Sequence, residues 1–168
     1  MQDDFIKTLD YLGFSTRLKR ISDKLILDGR LLYRSLGIEM EPNWFLIFKL
    51  LNIYKALTIN EITVKLKFSH PSVISIINKM ELVGYITSRK SDTDQRKRII
   101  QLSSKGIQKQ KEFEVIWDSA TEGITNALSG MKAIEFIEEL ELRFSEKDFK
   151  QRALQVYQKK VQVDENKK

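Results

Sequence analysis

The 168-residue sequence predicts a mainly α protein with one small β-hairpin (α+β), and three observations carry that prediction. Apolar residues recur every three or four positions through 5–36 and 105–161, the period of amphipathic helices. Tyr85–Lys90 and Arg98–Ser103 read instead as strands, with Ile100 and Leu102 two apart on one face. Gly37, Gly84 and the Ser129-Gly130 pair fall where the helical patterns stop, as left-handed caps and breakers do.

Phe5, Leu9, Leu12, Phe14, Leu18, Ile21, Leu25 and Leu32 predict one long amphipathic helix ending at Gly37. At about 1.5 Å per residue it would reach ~45 Å, too long to bury within so small a domain. Glu41-Pro42 predicts the next start, with proline at the first helical position. From Asn43 to about Lys55 that helix is apolar on most sides, which places it in a core. Thr58-Ile59-Asn60-Glu61 is a capping-box pattern opening a short helix, Ile59 to Leu66. Ser69 caps a second, from His70 to Val83, with Pro71 in its first turn and Gly84 at its end. The hairpin follows, its polar connection running from Ser91 to Lys97. A long helix then spans about Lys105 to Leu128, with Phe113, Ile116, Trp117, Ala120, Ile124 and Leu128 on one stripe. Another runs from Met131 to about Phe144. A last one, capped by Ser145 or Asp148, passes through Leu154, Tyr157 and Val161 to a frayed Asp-Glu-Asn-Lys-Lys tail at 164–168.

Charge is concentrated in the middle of this plan. Thr58 to Gly106 holds nine Lys/Arg against four Asp/Glu, a net of +5 within a chain of +6. The flanks are close to neutral, with seven basic and six acidic residues in 1–40, eleven and twelve in 107–168. A helix-turn-helix beside a basic hairpin is the outline of a winged helix-turn-helix that binds duplex DNA. Three parts follow: 1–38 and 107–165 as a helical dimerisation region, 39–106 as a winged helix-turn-helix, and the tail. The terminal apolar stripes exceed what a winged-helix core of about 65 residues can cover. Packing them on a second copy buries both sets and predicts a homodimer; the alternative is that they fold back on each other within one chain.

In the second helix Val73, Ile76, Ile77 and Met80 fall on one side as anchors. The other side offers Ser69, His70, Pro71, Ser72, Ser75, Asn78 and Lys79, with Ile74 at the boundary. Such a helix lies in the major groove with its N-terminal residues nearest the base edges. The small hydroxyls allow close approach, Asn78 suits adenine, Ile74 a thymine methyl, and Lys79 a phosphate. Arg96 at the hairpin tip suits a narrow, electronegative minor groove. Arg89 is expected to contact DNA, and Lys97 and Arg98 to contact its backbone or brace the hairpin, with Asp94 pairing Arg98.

These residues resemble the MarR family (multiple antibiotic resistance regulators). Asp94-Gln95-Arg96, Ile100, Leu102-Ser103 and Gly106 are similar to its D-x-R…V-x-L-T-x-x-G pattern, with serine for threonine. Met80-Glu81-Leu82-Val83-Gly84-Tyr85-Ile86 is similar to its L-E-x-x-G-L-V segment. The resemblance covers nearly the whole chain. It implies a homodimeric, cytoplasmic transcriptional regulator, often a repressor, on a roughly palindromic operator. It also implies a small, frequently aromatic effector held between dimerisation and DNA-binding parts, where Tyr33, Trp44, Phe48 and Trp117 could line a site. As residues alone, those four read first as core. Two positions depart from the family: Lys67 stands where the turn often has glycine, and Ser75 where many members carry a larger polar or basic residue.

Other classes lack their residues. With no cysteine and one histidine there is no disulfide, thiolate site or thiol sensor, and no cofactor or metal cluster is predicted. An enzyme would need groups that are missing. No apolar run nears the ~20 residues of a membrane span, and the acidic start MQDDFIK is unlike an export signal, so a cytoplasmic protein is expected. A winged-helix module docking protein instead of DNA would need an apolar exposed recognition helix, and only Ile74 fits that description.

Overall fold

The computed structural model describes residues 4–90 and 94–165. Its elements are helices α1 (Phe5–Thr8), α2 (Phe14–Ser35) and α3 (Trp44–Tyr54), strand β1 (Ala56–Thr58), and helices α4 (Ile59–Leu66) and α5 (His70–Leu82). Strands β2 (Ile86–Lys90) and β3 (Arg98–Leu102) follow, then helices α6 (Ser104–Ala127), α7 (Ala133–Glu146) and α8 (Phe149–Glu165). The hairpin tip Ser91–Thr93 and the tail residues Asn166–Lys168 lie outside the described residues; Asp164 and Glu165, expected in the tail, belong to α8.

Three expectations are corrected. The first helix is not continuous: a 3-10 turn, Asp10–Gly13, separates α1 from α2. Asp10 takes φ 47°, and Gly13 lets α1 fold close, since a Cβ there would meet the Ile6 carbonyl oxygen at 2.5 Å. The two-residue step from Leu12 to Phe14 in the apolar pattern marks the same place. Pro42 does not open α3. It sits in a turn before Trp44, whose N–H donates to the Glu41 carbonyl at 3.0 Å. The hairpin also gains a third strand: β1 pairs antiparallel with β3, Leu57 opposite Ile100, giving the order β1-β3-β2.

The caps form as the sequence predicts. The Thr58 backbone N–H donates to the Glu61 carboxylate at 2.7 Å while the Glu61 N–H donates to the Thr58 hydroxyl at 3.2 Å. Ser69 accepts from the Ser72 N–H at 3.3 Å, and Gly37 and Gly84 end their helices at φ 67° and 83°. Lys67, in the turn between α4 and α5, is left-handed at φ 53° and ψ 32°.

The chain divides into two units, residues 1–117 and 118–168. In the first, α3 is central as expected: Ile47, Phe48 and Leu51 are buried with Ile62, Val73, Ile77, Met80, Ile86, Ile100 and Phe113. Gly106 allows α6 to start against the hairpin, since a Cβ there would lie 2.1 Å from the Tyr85 carbonyl oxygen. The second unit is different. No residue of α7 is buried, and on α8 Phe149, Leu154, Val156, Tyr157, Val161 and Val163 are exposed. On α2 the stripe residues Leu18, Ile21, Leu25 and Leu32 are exposed too. No described helix is long and apolar enough to cross a membrane.

Candidate nucleic-acid interface

The Ser69 cap fixes where α5 begins, and the helix's apolar side fixes which way it faces. Val73, Ile76, Ile77 and Met80 are buried against the core, and Ile74 is half-buried, as the periodicity predicts. Ser69, His70, Pro71, Ser72, Ser75, Asn78 and Lys79 are consequently exposed along one side. The Ser72 hydroxyl lies 2.7 Å from that of Ser69, so it shares in the cap as well as facing out. The amide ends of α5's first turn add partial positive charge to this edge.

The hairpin brings a second set. β2 and β3 are antiparallel, with Ile86 opposite Leu102, Ser88 opposite Ile100 and Lys90 opposite Arg98. Side chains alternate across such a pair, so Arg98 shares the face of Ile100 and Leu102, which looks toward α5. There it meets three partners. Its Nε donates to the Ser88 hydroxyl at 2.9 Å, one Nη to the Asn78 carbonyl oxygen at 3.0 Å, and the other Nη to the Glu81 carboxylate. Glu81 also accepts from Ser88 at 2.6 Å.

Asp94 therefore does not pair with Arg98. It accepts from the Arg96 N–H at 3.1 Å and from Arg96 Nε at 3.3 Å, with Lys97 at 3.9 Å. The reason is geometric: strand alternation carries Arg98 to the core side, away from the tip. The Arg96 side chain is 92% exposed, against 33% for Arg98, so the first is presented and the second is held. Arg89 is exposed on β2. Glu81 and Ser88, which hold Arg98, are the residues that the sequence did not single out. The period of two, which puts 98 in phase with 100 and 102, signals that Arg98 turns inward but not which partners it meets.

The four aromatic residues expected at an effector site are brought together in part. Phe48 and Trp117 have ring centroids 5.8 Å apart, and Trp117 Nε1 donates to the Tyr33 hydroxyl at 3.0 Å. Trp44 packs edge-on to Tyr85 at 6.3 Å. All four are buried. Burial raises the Tyr33 phenol above its ordinary value, with the Trp117 hydrogen bond opposing, and Tyr85 is raised chiefly by burial too. Tyr33, Phe48 and Trp117 fill the core. Only Trp44 also borders a cleft of about 810 Å³, whose walls include Ile26, Phe68, Ser72, Ser75, Lys67 and Lys79. At its edge Arg30 donates to Glu41 at 2.9 Å. Among the described residues no cluster of His, Asp and Glu could hold a metal ion.

A model of the MarR family matches residues 38–97. No curated protein matches the chain. Among solved structures, a complex of MepR from S. aureus with DNA aligns at 19% identity and TM-score 0.66, covering 79% of this chain and 97% of that one. Reduced AbfR bound to DNA aligns at 19% identity and TM-score 0.62, covering 87% and 98%. The PcaV transcriptional regulator from Streptomyces coelicolor, in complex with its natural ligand, aligns at 12% identity and TM-score 0.61, covering 82% and 93%. At such identities the likeness establishes the fold, that of the winged-helix MarR regulators.

Proposed function

We propose that this chain is a sequence-specific double-stranded DNA-binding regulator of transcription, acting in the cytoplasm as a homodimer on a pseudo-palindromic operator. The observation that carries the reading is the pairing of two probes in one unit. The exposed N-terminal half of α5, from Ser69 to Ser75, stands beside a hairpin that extends Arg96 into solvent. A +5 excess over residues 58–106 supplies attraction to phosphate. The match of 38–97 to the MarR family and the DNA-bound state of MepR and AbfR support the same reading.

The helix would enter the major groove with Ser72, Ser75 and Ile74 nearest the bases, and Arg96 would enter the adjacent minor groove. His70, Lys79, Arg89 and Lys97 would meet phosphates. The exposed apolar stripes of α2, α7 and α8 support pairing with a second copy, since each buried large side chain is worth about 1.5–3 kcal/mol. A dimer places two such probe pairs on successive turns of one DNA face.

Repression released by a small effector is supported by the cleft at Lys67 and Lys79. Its apolar walls and the two cations suit an aromatic carboxylate, and a molecule there would share Ser72 and Ser75 with DNA. Selection from a random duplex library, then fluorescence anisotropy across a salt series, tests the reading. Affinity should fall with a log–log slope of about −0.9 per phosphate contact. Arg96→Ala should weaken binding about tenfold or more and reduce the preference for narrow minor grooves. Equal affinity of mutant and parent for an A-tract site removes Arg96 from this role.

A further inference from the structure

The Arg98 guanidinium has five N–H donors in a fixed fork. Three are committed to Ser88, Asn78 and Glu81, which come from β2 and from α5. At 33% and 35% side-chain exposure, Arg98 and Glu81 are shielded more than an ordinary surface pair. The hairpin and the recognition helix are thereby tied at one point, and the Asn78 amide is turned so that its carbonyl oxygen faces the arginine.

We infer that Arg98 is a positioning residue for base recognition, which makes Asn78 present its amide NH2 and so select a base edge that accepts. This rests on the DNA reading above. A bidentate pair with adenine needs the Asn oxygen to accept from N6 while the NH2 donates to N7. Here a cation already holds that oxygen, so an adenine N6 would have to share it with Arg98. Among the described residues the NH2 group has no such competitor. Guanine, whose O6 and N7 both accept, or thymine O4 answers it, whereas adenine N7 accepts too but sets the N6 donor against an oxygen that Arg98 already holds. The adenine preference that asparagine suggests from the sequence is overridden by a residue twenty positions away.

The test combines library selection, the salt slope, and the arginine side-chain resonances of the free protein. Asn78→Ala should flatten preference at one symmetric pair of positions, where the parent selects guanine or thymine. Arg98→Met should shift that same pair toward adenine by about tenfold, leaving the salt slope unchanged. Arg98→Lys should not restore the parent profile, because a point charge cannot hold three partners in a fork. Asn78→Asp, which keeps the Arg98 contact and removes the NH2, should move the preference to cytosine, a donor edge. In the free protein the Arg98 Nε–H signal should exchange slowly and should quicken in Ser88→Ala.

A parent that selects adenine at the Asn78 positions overturns the assignment. So does an Arg98→Met variant that keeps the parent profile while losing about 0.9 of slope per subunit, which would make Arg98 a phosphate contact. If the parent selects no sequence, the DNA reading falls and the Asn78 assignment with it. The resonance then still decides the brace: a signal exchanging like that of a solvent-exposed arginine overturns it.

Discussion

Lys67 shows how much one backbone angle reveals. A side chain with φ 53° is strained by roughly 1–2 kcal/mol, and the residue is tolerated because the turn between α4 and α5 demands that geometry. Lys67→Gly should therefore raise stability, by up to about 1 kcal/mol once the added freedom of the unfolded chain is counted. Lys67→Ala, which keeps a Cβ, should not. Thermal or urea melts of both variants check this, and a gain for alanine equal to that for glycine would locate the effect elsewhere. The neighbouring contrast between Arg96 and Arg98 is also a matter of single residues. Both are arginines on one basic run, yet the strand period sends one to the tip and the other to the core face. That distinction was legible in the spacing of 98, 100 and 102. The partners Ser88 and Glu81 were not, because they depend on how close β2 comes to α5.

At the scale of the element, short-range signals were the reliable ones. The bounds of α4 are those its capping box predicts, since both hydrogen bonds join residues three apart. Glu61 is held below the ordinary carboxylate value by the Thr58 backbone N–H first and its hydroxyl second. A lowered folded-state pKa contributes stability above the unfolded value near 4.3, and that contribution is lost as pH falls through the lowered value. Thr58→Ala should cost about 1 kcal/mol at neutral pH, and less below the carboxylate range. A penalty that does not shrink in acid would show that the hydrogen bond from the Thr58 hydroxyl to the Glu61 carboxylate contributes nothing, since alanine keeps the backbone N–H bond. By contrast β1, three residues long, left no period to read. It is a strand because β3 offers it an edge. The break after α1 was visible only as a phase slip, and Gly13 acquires its meaning from the Ile6 carbonyl that crowds it.

At the scale of the molecule, the exposed apolar faces are the dominant fact. In α7, Ile134, Phe136, Ile137, Leu142 and Phe144 are all exposed, and α8 adds six more such residues. Large apolar side chains exposed in such number mark a surface that a partner covers. Sedimentation equilibrium should give twice the 19.7 kDa of one chain. Ile137→Asp should shift the protein toward monomer and weaken operator binding by about a hundredfold or more, through loss of the paired half-site. A parent that sediments as a single chain at micromolar concentration overturns the dimer. The opposite charges of α7, with five glutamates against one arginine, and of α8, with four basic residues before Asp164, suit pairing of unlike helices.

Composition, period and caps by themselves determined the helix-turn-helix, the hairpin, the buried side of α5 and the site of the basic charge. Each of those is decided within a few residues along the chain. Tertiary structure alone decided that Arg98 is held by Ser88, Asn78 and Glu81, that Asn78 has its oxygen engaged, and that Tyr33, Phe48 and Trp117 fill a core while a cleft opens beside Trp44. These depend on distances between segments far apart in sequence, and no local pattern encodes a distance that only packing sets.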